Sequence, residues 1–242
     1  MSPRPPQEQE DKAVQSYFRK IYSDYQEKVD REDVADVYSR IKENIEPHLT
    51  GIVVDIGSGG VSRYQNPAIR RLISVDNVLE FLSHSKDKTV LNVAGDIRAL
   101  PLKGGSADRI VVQFVIHHLT ESRLAKNLRN VEAAVAESSR ILRPGGEVYF
   151  VDSMVPFPLE MIERPCYLPA YHLLRILNKP MVFFFSVQSF CRLLRRYRLA
   201  PRRIRKIDWG KMAEASAALF PRLKFPLKYA PVRCLLISAV KR

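Results

Sequence analysis

Ile52-Val53-Val54-Asp55-Ile56-Gly57-Ser58-Gly59-Gly60 is the stretch that decides the fold. Apolar, mostly β-branched residues run into an acid, and glycines follow at once. A strand buried on both faces reads this way, because a parallel sheet covered by helices has no wet side. Glycines at its carboxyl end permit a sharp turn and let a ligand approach the backbone, where a Cβ would stand in the way. A second apolar run, Leu72-Ile73-Ser74-Val75, ends in Asp76, 21 positions after Asp55. An acid about 20 residues beyond a glycine-rich first turn is where a Rossmann-like site holds a ribose. Asp55 and Asp76 are therefore expected side by side at the carboxyl ends of adjacent strands, facing one nucleoside. A dinucleotide fingerprint needs glycines at 57, 59 and 62, and position 62 is Ser, which argues against NAD.

Three later segments bear on which nucleoside it is. Gly95-Asp96-Ile97-Arg98-Ala99-Leu100-Pro101-Leu102 leads into Asp108-Arg109-Ile110-Val111-Val112-Gln113-Phe114-Val115-Ile116-His117-His118-Leu119. After a helix comes Leu142-Arg143-Pro144-Gly145-Gly146-Glu147-Val148-Tyr149-Phe150-Val151-Asp152. In this order and spacing, over roughly residues 35–155, the chain resembles the class I S-adenosylmethionine (SAM) dependent methyltransferases, in particular those that modify small molecules. The resemblance implies SAM as cofactor. It implies that Asp55, Gly57, Ser58, Gly59, Asp76, Asn77, Asp96, Ile97, Gln113 and His118 form the cofactor site. Asp96 would accept from the adenine amino group and Ile97 would pack on the ring. By its own chemistry Asp96 can instead cap the turn that follows it.

SAM carries its own activation, so the protein mainly has to hold a nucleophile in line with the methyl–sulfur bond. A base is needed only if that nucleophile must lose a proton. His117 is the candidate, since it follows the fourth strand and a His near neutrality suits the task. A structural or orienting role is the competing reading for His117 and for His118. The Asn/Asp-Pro-Pro-aromatic sequence common in enzymes that methylate base amino groups is absent, its place being taken by Phe114-Val115-Ile116-His117-His118. No cluster has metal-ligand spacing.

Composition sets the outer limits. The 242 residues, 46% of them hydrophobic, suit one large domain with a substantial core. Cys166, Cys191 and Cys234 have no metal spacing and read as reduced thiols of a cytoplasmic protein. The longest notable uncharged apolar stretch, Pro180 to Cys191, is 12 residues, too short to span a bilayer. The net charge of +13 is localised: from Arg175 onward 17 Lys/Arg face 2 Asp/Glu, whereas the rest of the chain has 22 against 24. A localised basic face favours an anionic partner.

Along the chain, 1–10 reads as a disordered tail and 11–242 as a single domain, opening with N-terminal helices over 11–46. Strands are expected at 51–56, 72–76, 89–93, 108–116, 147–152 and 232–240. Helices are expected from 78 to 84, over 122–142 and over 187–197, with a short or distorted one over 61–71, where Asn66-Pro67 interrupts the pattern. The fold class is α/β: a Rossmann-like, doubly wound, mainly parallel seven-stranded sheet with an antiparallel last strand. Residues 153–190, rich in proline and aromatics, read as a cap over the substrate pocket.

The expected function is methyl transfer to O, N or C of a small or amphiphilic metabolite with an anionic end, such as a lipid, an isoprenoid or a carrier-linked acid. Two other readings fit the same sequence. One is an RNA methyltransferase using the basic C-terminal part, and the other a SAM-binding regulatory or scaffold protein without transferase activity. Residues 192–206 hold eight Lys/Arg in 15 positions, and Phe183, Phe184, Phe185 and Phe190 precede them. That block order suits a peripheral contact of 183–206 with an acidic lipid surface better than stacking on RNA bases.

Overall fold

The computed structural model describes residues 32–59, 64–83, 89–177, 181–214, 216–220 and 223–242. The tail over 1–10 and the helical segment over 11–31 lie outside them. Helix α1 (Glu32–Ile45) leads into β1 (Gly51–Ile56), β2 (Ile69–Asp76), α2 (Leu79–Ser83), β3 (Val90–Ala94) and β4 (Ala107–Gln113). Then come α3 (Leu124–Ile141), β5 (Leu142–Met154), α4 (Phe157–Ile176), α5 (Val187–Arg196) and β6 (Leu199–Lys206). A hairpin of β7 (Ser216–Phe220) and β8 (Leu223–Pro226) precedes β9 (Arg233–Lys241).

Seven strands form one sheet in the order β3-β2-β1-β4-β5-β9-β6. The pairs from β3 to β5 are parallel, and β9 runs antiparallel to both β5 and β6. This is the doubly wound sheet with an antiparallel last strand that the sequence predicts. The side chains alternate between two cores. Val54, Ile56, Ile110, Val112, Val148 and Phe150 pack on the α3, α4 and α5 side, and Val53, Val111, Tyr149, Val151 and Leu236 on the α1 side. Since successive Cβ atoms point to opposite faces, the uninterrupted apolar runs of β1 and β4 are what a two-sided burial requires.

Two expectations need correction. No helix forms over 64–71, and β2 begins at Ile69. The reason is local: Asn66 Oδ1 accepts the Ala68 N–H at 2.9 Å, and its amide donates to the Glu46 carbonyl at 2.8 Å. That turn competes with a helix, and Pro67 disfavours one as well. The second correction concerns the phenylalanines expected at a lipid surface. Phe183, Phe185 and Phe190 are 1%, 5% and 0% exposed and pack on one another and on Tyr167 and Phe150, edge to face except for the tilted Phe185–Phe190 pair. They are core, not surface.

Helix α4 packs on α3 and α5 with its Tyr167 side inward, and the Tyr167 hydroxyl donates to the Glu121 carbonyl at 2.7 Å. Buried Glu160 is held by Arg164 at 2.6 Å and accepts the Ser186 N–H at 2.9 Å, tying α4 to the start of α5. Pro165 and Pro169 lie inside the helix on its exposed side, where the carbonyls they leave unbonded meet water.

Glu163, on the inner side of α4, accepts the Phe184 N–H at 3.4 Å. Burial, helped by the neighbouring Glu160 charge, pushes its carboxyl up to about 7 from 4.5. Between those values the folded chain holds a proton that the unfolded chain has lost, so stability falls as pH rises through that window. Glu163→Gln should therefore stabilise the protein by roughly 1–3 kcal/mol at pH near 8 and by much less near pH 4.5. Urea denaturation at both pH values checks this, and equal gains would mean that another group titrates.

Candidate active site

The site grows out of the carboxyl ends of β1, β2, β4 and β5. At the end of β1 the chain turns through Gly57 and Gly59, both with positive φ, +71° and +58°. A Cβ at Gly57 would collide with the Val115 side chain from the turn after β4. The glycine thus serves both the left-handed backbone and the close approach of two loops. Asp76, at the end of β2, holds this loop in place. Its Oδ2 accepts the Gly59 N–H at 3.0 Å and its Oδ1 the Val78 N–H at 2.9 Å. Burial nonetheless raises its carboxyl above the usual carboxylate range.

After β4, Phe114 adopts φ +52°, an uncommon conformation for a side chain of that size. Its ring stands edge-on to Tyr38 at 5.9 Å and to His117 at 6.4 Å. A single 3₁₀ turn, Ile116–His118, then places both histidines. The His117 Nδ1 lies 2.5 Å from Asp152 Oδ1, and the buried Asp152 carboxylate also accepts the N–H groups of Ile116 at 2.9 Å and Ser153 at 2.7 Å. Three polar groups thus converge on one carboxylate. With Nδ1–H committed to Asp152, Nε2 carries the free lone pair. The Phe184 ring stacks on the other side of His117 at 5.9 Å. His118, 4.0 Å away ring to ring, is held well below the ordinary imidazole range by burial and by His117, and so stays neutral.

These elements enclose a cavity of ≈ 510 Å³. Gly57, Gly59, Asp76, Asn77, Gln113, His117 and His118 line it, together with Val34, Val37 and Tyr38 of α1. Its remaining wall is largely apolar and includes Phe114, Val182, Phe184, Trp209, Met212 and Val232. A smaller adjoining cavity of ≈ 80 Å³ shares Asp76, Asn77 and His118 and adds Asp96 and Ile97. Nearly all the sequence-predicted residues thus meet in one place. Asp55 and Ser58 line neither cavity: Asp55 is buried, and Ser58 faces Ser74 at 2.5 Å; burial, with the nearby Asp55 charge adding to it, raises the Tyr64 hydroxyl pKa. Of the two acids expected side by side, Asp76 lines both cavities. Asp96 accepts both the backbone N–H and the guanidinium of Arg98, whose charge and hydrogen bonds lower its pKa. The turn-capping reading of Asp96 therefore holds alongside its place on the small cavity.

Sequence reasoning missed Asp152, Phe114, Trp209 and Met212. Asp152 carried a usable signal, being an acid that closes an apolar strand as Asp55 and Asp76 do. Trp209 and Met212 arrive from a turn that packs on α1, where Lys211 N–H donates to Asp36 at 2.8 Å, and nothing in the local sequence announces it.

Comparison with known proteins fits this geometry. Residues 54–150 match the family described as "Methyltransferase domain". Over that stretch the chain carries a methyltransferase domain. Among solved structures, a chain of the complex with the Haloferax volcanii Trm112 methyltransferase activator superposes with TM-score 0.65 at 18% identity, covering 92% of this chain and 96% of that one. The Burkholderia thailandensis 1,6-didemethyltoxoflavin-N1-methyltransferase, with its substrate and S-adenosylhomocysteine bound, gives 0.61 at 16%, covering 100% and 92%. The Streptomyces coelicolor A3(2) geranyl diphosphate C-methyltransferase, with Mg²⁺, geranyl diphosphate and S-adenosylhomocysteine, gives 0.60 at 14%, covering 88% and 81%. At these identities the likeness is one of fold. No curated protein sequence matches the chain.

Gly57→Ala should cost about 1–3 kcal/mol, since it strains the backbone and drives a methyl into Val115. A thermal melt of the purified variant, with a neutral result, would show that the Val115 loop can withdraw freely.

Proposed function

We propose that this domain methylates a hydroxyl oxygen of a small, largely apolar acceptor bound in the ≈ 510 Å³ cavity. The observation that carries the reading is the His117–Asp152 pair on its wall. A buried carboxylate that fixes one imidazole nitrogen leaves the other as a proton acceptor of set orientation. An amine acceptor that is already neutral needs no such base, whereas a hydroxyl must shed its proton as the new bond forms.

The residues at the glycine end of the cavity suit the cofactor. Gly57 and Gly59 present backbone free of Cβ atoms, and Asp76, Asn77, Asp96, Ile97 and His118 surround the adjoining space. We assign them to the nucleoside, with Asp76 using the lone pairs left after Gly59 and Val78 for the ribose hydroxyls. Bound SAM supplies an electrophilic methyl on a sulfonium. The chain's own residues do the rest. Phe114, Phe184 and Trp209 exclude water and hold the apolar body of the acceptor. His117 Nε2 takes the hydroxyl proton as the oxygen attacks, and Asp152 balances the imidazolium that results. The wide apolar wall supports an isoprenoid-like or aromatic acceptor over a nucleotide one.

Calorimetry should register SAM at micromolar strength and no NAD, and the opposite result would sink the assignment. Asp76→Ala should weaken SAM about 10- to 1000-fold without unfolding the protein. His117→Gln should lower kcat by roughly 10²–10⁴ while leaving SAM affinity nearly unchanged. Product identification after incubation with methyl-labelled SAM and a hydroxylated apolar library tests the acceptor. A labelled nitrogen or carbon product would overturn the oxygen assignment.

A further inference from the structure

Helix α4 turns a broad apolar face to solvent. Phe157, Met161, Ile162, Leu168, Leu173 and Ile176 are 37–78% exposed. With Leu177, which caps the helix, they account for 7 of the 11 exposed large hydrophobic side chains among the described residues. The same face carries Pro165, Cys166 and Pro169. Besides the Cys166 thiol, its ionisable members are the exposed His172 and Arg175, with half-exposed Arg164 at the border turned to Glu160, and it holds no acid: the carboxylates of α4, Glu160 and Glu163, are on the inner side. A continuous patch of this size on a helix about 30 Å long is an interaction surface rather than scattered exposure.

We propose that this face of α4 seats on an anionic lipid surface, with its apolar side chains in the acyl boundary. Three observations favour that occupant. The first is charge: from Arg175 onward the chain carries 17 Lys/Arg against 2 Asp/Glu, and the next helix, α5, exposes Arg192, Arg195 and Arg196. An apolar stripe beside cations is the pattern of an interfacial helix. The second is that this face carries Arg175 and no acid, so a second copy paired about a two-fold axis would offer it no complementary charge. The third is position. The inner side of α4 bonds directly to the segment that walls the cavity, Glu163 to the Phe184 N–H and Glu160 to the Ser186 N–H. Phe184 and Val182 line that cavity. A helix lying in the interface would set the pocket against the phase in which an apolar acceptor dissolves. The docking surface thus lies at 157–177, upstream of the segment 183–206 that composition alone suggests, since the phenylalanines there are buried. The proposal extends the reading of the pocket but does not depend on which atom is methylated.

Cys166 provides the probe, being exposed on this face while Cys191 and Cys234 are buried. The full chain, labelled at Cys166 with a polarity-sensitive fluorophore, should blue-shift and sediment with phosphatidylcholine vesicles containing about one-third phosphatidylglycerol, and much less with phosphatidylcholine alone. The double variant Ile162→Asp, Ile176→Asp should lose vesicle binding at least about tenfold, with SAM affinity and melting temperature retained. Replacing Arg192 and Arg195 by Gln should weaken binding and flatten its salt dependence. Absence of binding to the anionic vesicles overturns the proposal. So does binding that neither shifts the Cys166 probe nor responds to the Ile162/Ile176 changes. A wild-type dimer in light scattering that the same double variant converts to monomer would assign the face to a second copy instead, and tight binding of structured RNA with no vesicle binding would assign the cations to nucleic acid. Vesicle binding is read without turnover, so a failed acceptor assignment leaves this result standing.

Discussion

Asp152 is where the structure is tied together. One buried carboxylate accepts from the backbone of the β4 turn, from its own strand and from the His117 ring. A charge in that position is expensive unless every oxygen is satisfied, so the sheet, the turn and the histidine are fixed as a unit. The Phe183 N–H then donates to the His117 carbonyl at 3.1 Å, and Val155 N–H to the Phe185 carbonyl at 3.1 Å. Through these two bonds the wall of the cavity inherits its position from the same carboxylate. Moving Asp152 would move the pocket, not one side chain.

The sheet was legible because its physics is repetitive. Buried strands write themselves as apolar runs, and the glycines and acids at their ends mark one edge of the sheet. The convergence of the candidate site was legible too: Gly57, Gly59, Asp76, Asn77, Gln113, His117 and His118 line one cavity because their strands run parallel in adjacent places. What sequence could not give was direction. Asp55 ends its apolar run as Asp76 does, yet it is buried and is not among the residues that line the cavity. Which way a strand's last residue points depends on pleat phase and on the turn that follows, and a single chain states neither. Trp209 and Met212 are a different failure, because their place is set by packing of a short turn on α1.

The segment after β5 shows composition misleading in a specific way. Its phenylalanines look like a surface block beside arginines, and three of the four are core. The residues that do face water are the less conspicuous aliphatics of α4, spread through a helix that contains two prolines. Helical phase, not richness in aromatics, separates inside from outside here. The phase was hard to read because prolines usually end a helix, and in α4 both lie where solvent can serve the carbonyls they orphan.

The arginines of 199–206 have a further consequence. They form β6, the strand at one margin of the sheet, with Arg202, Arg203, Arg205 and Lys206 exposed. A margin strand offers unpaired N–H and C=O groups to any extended chain that drifts past, including another copy of itself. Two such strands could join only by lining up their guanidinium groups a few ångströms apart. The crowding of like charge that looks wasteful in one molecule thus becomes a barrier between molecules. It opposes edge-to-edge growth of the sheet from one molecule to the next.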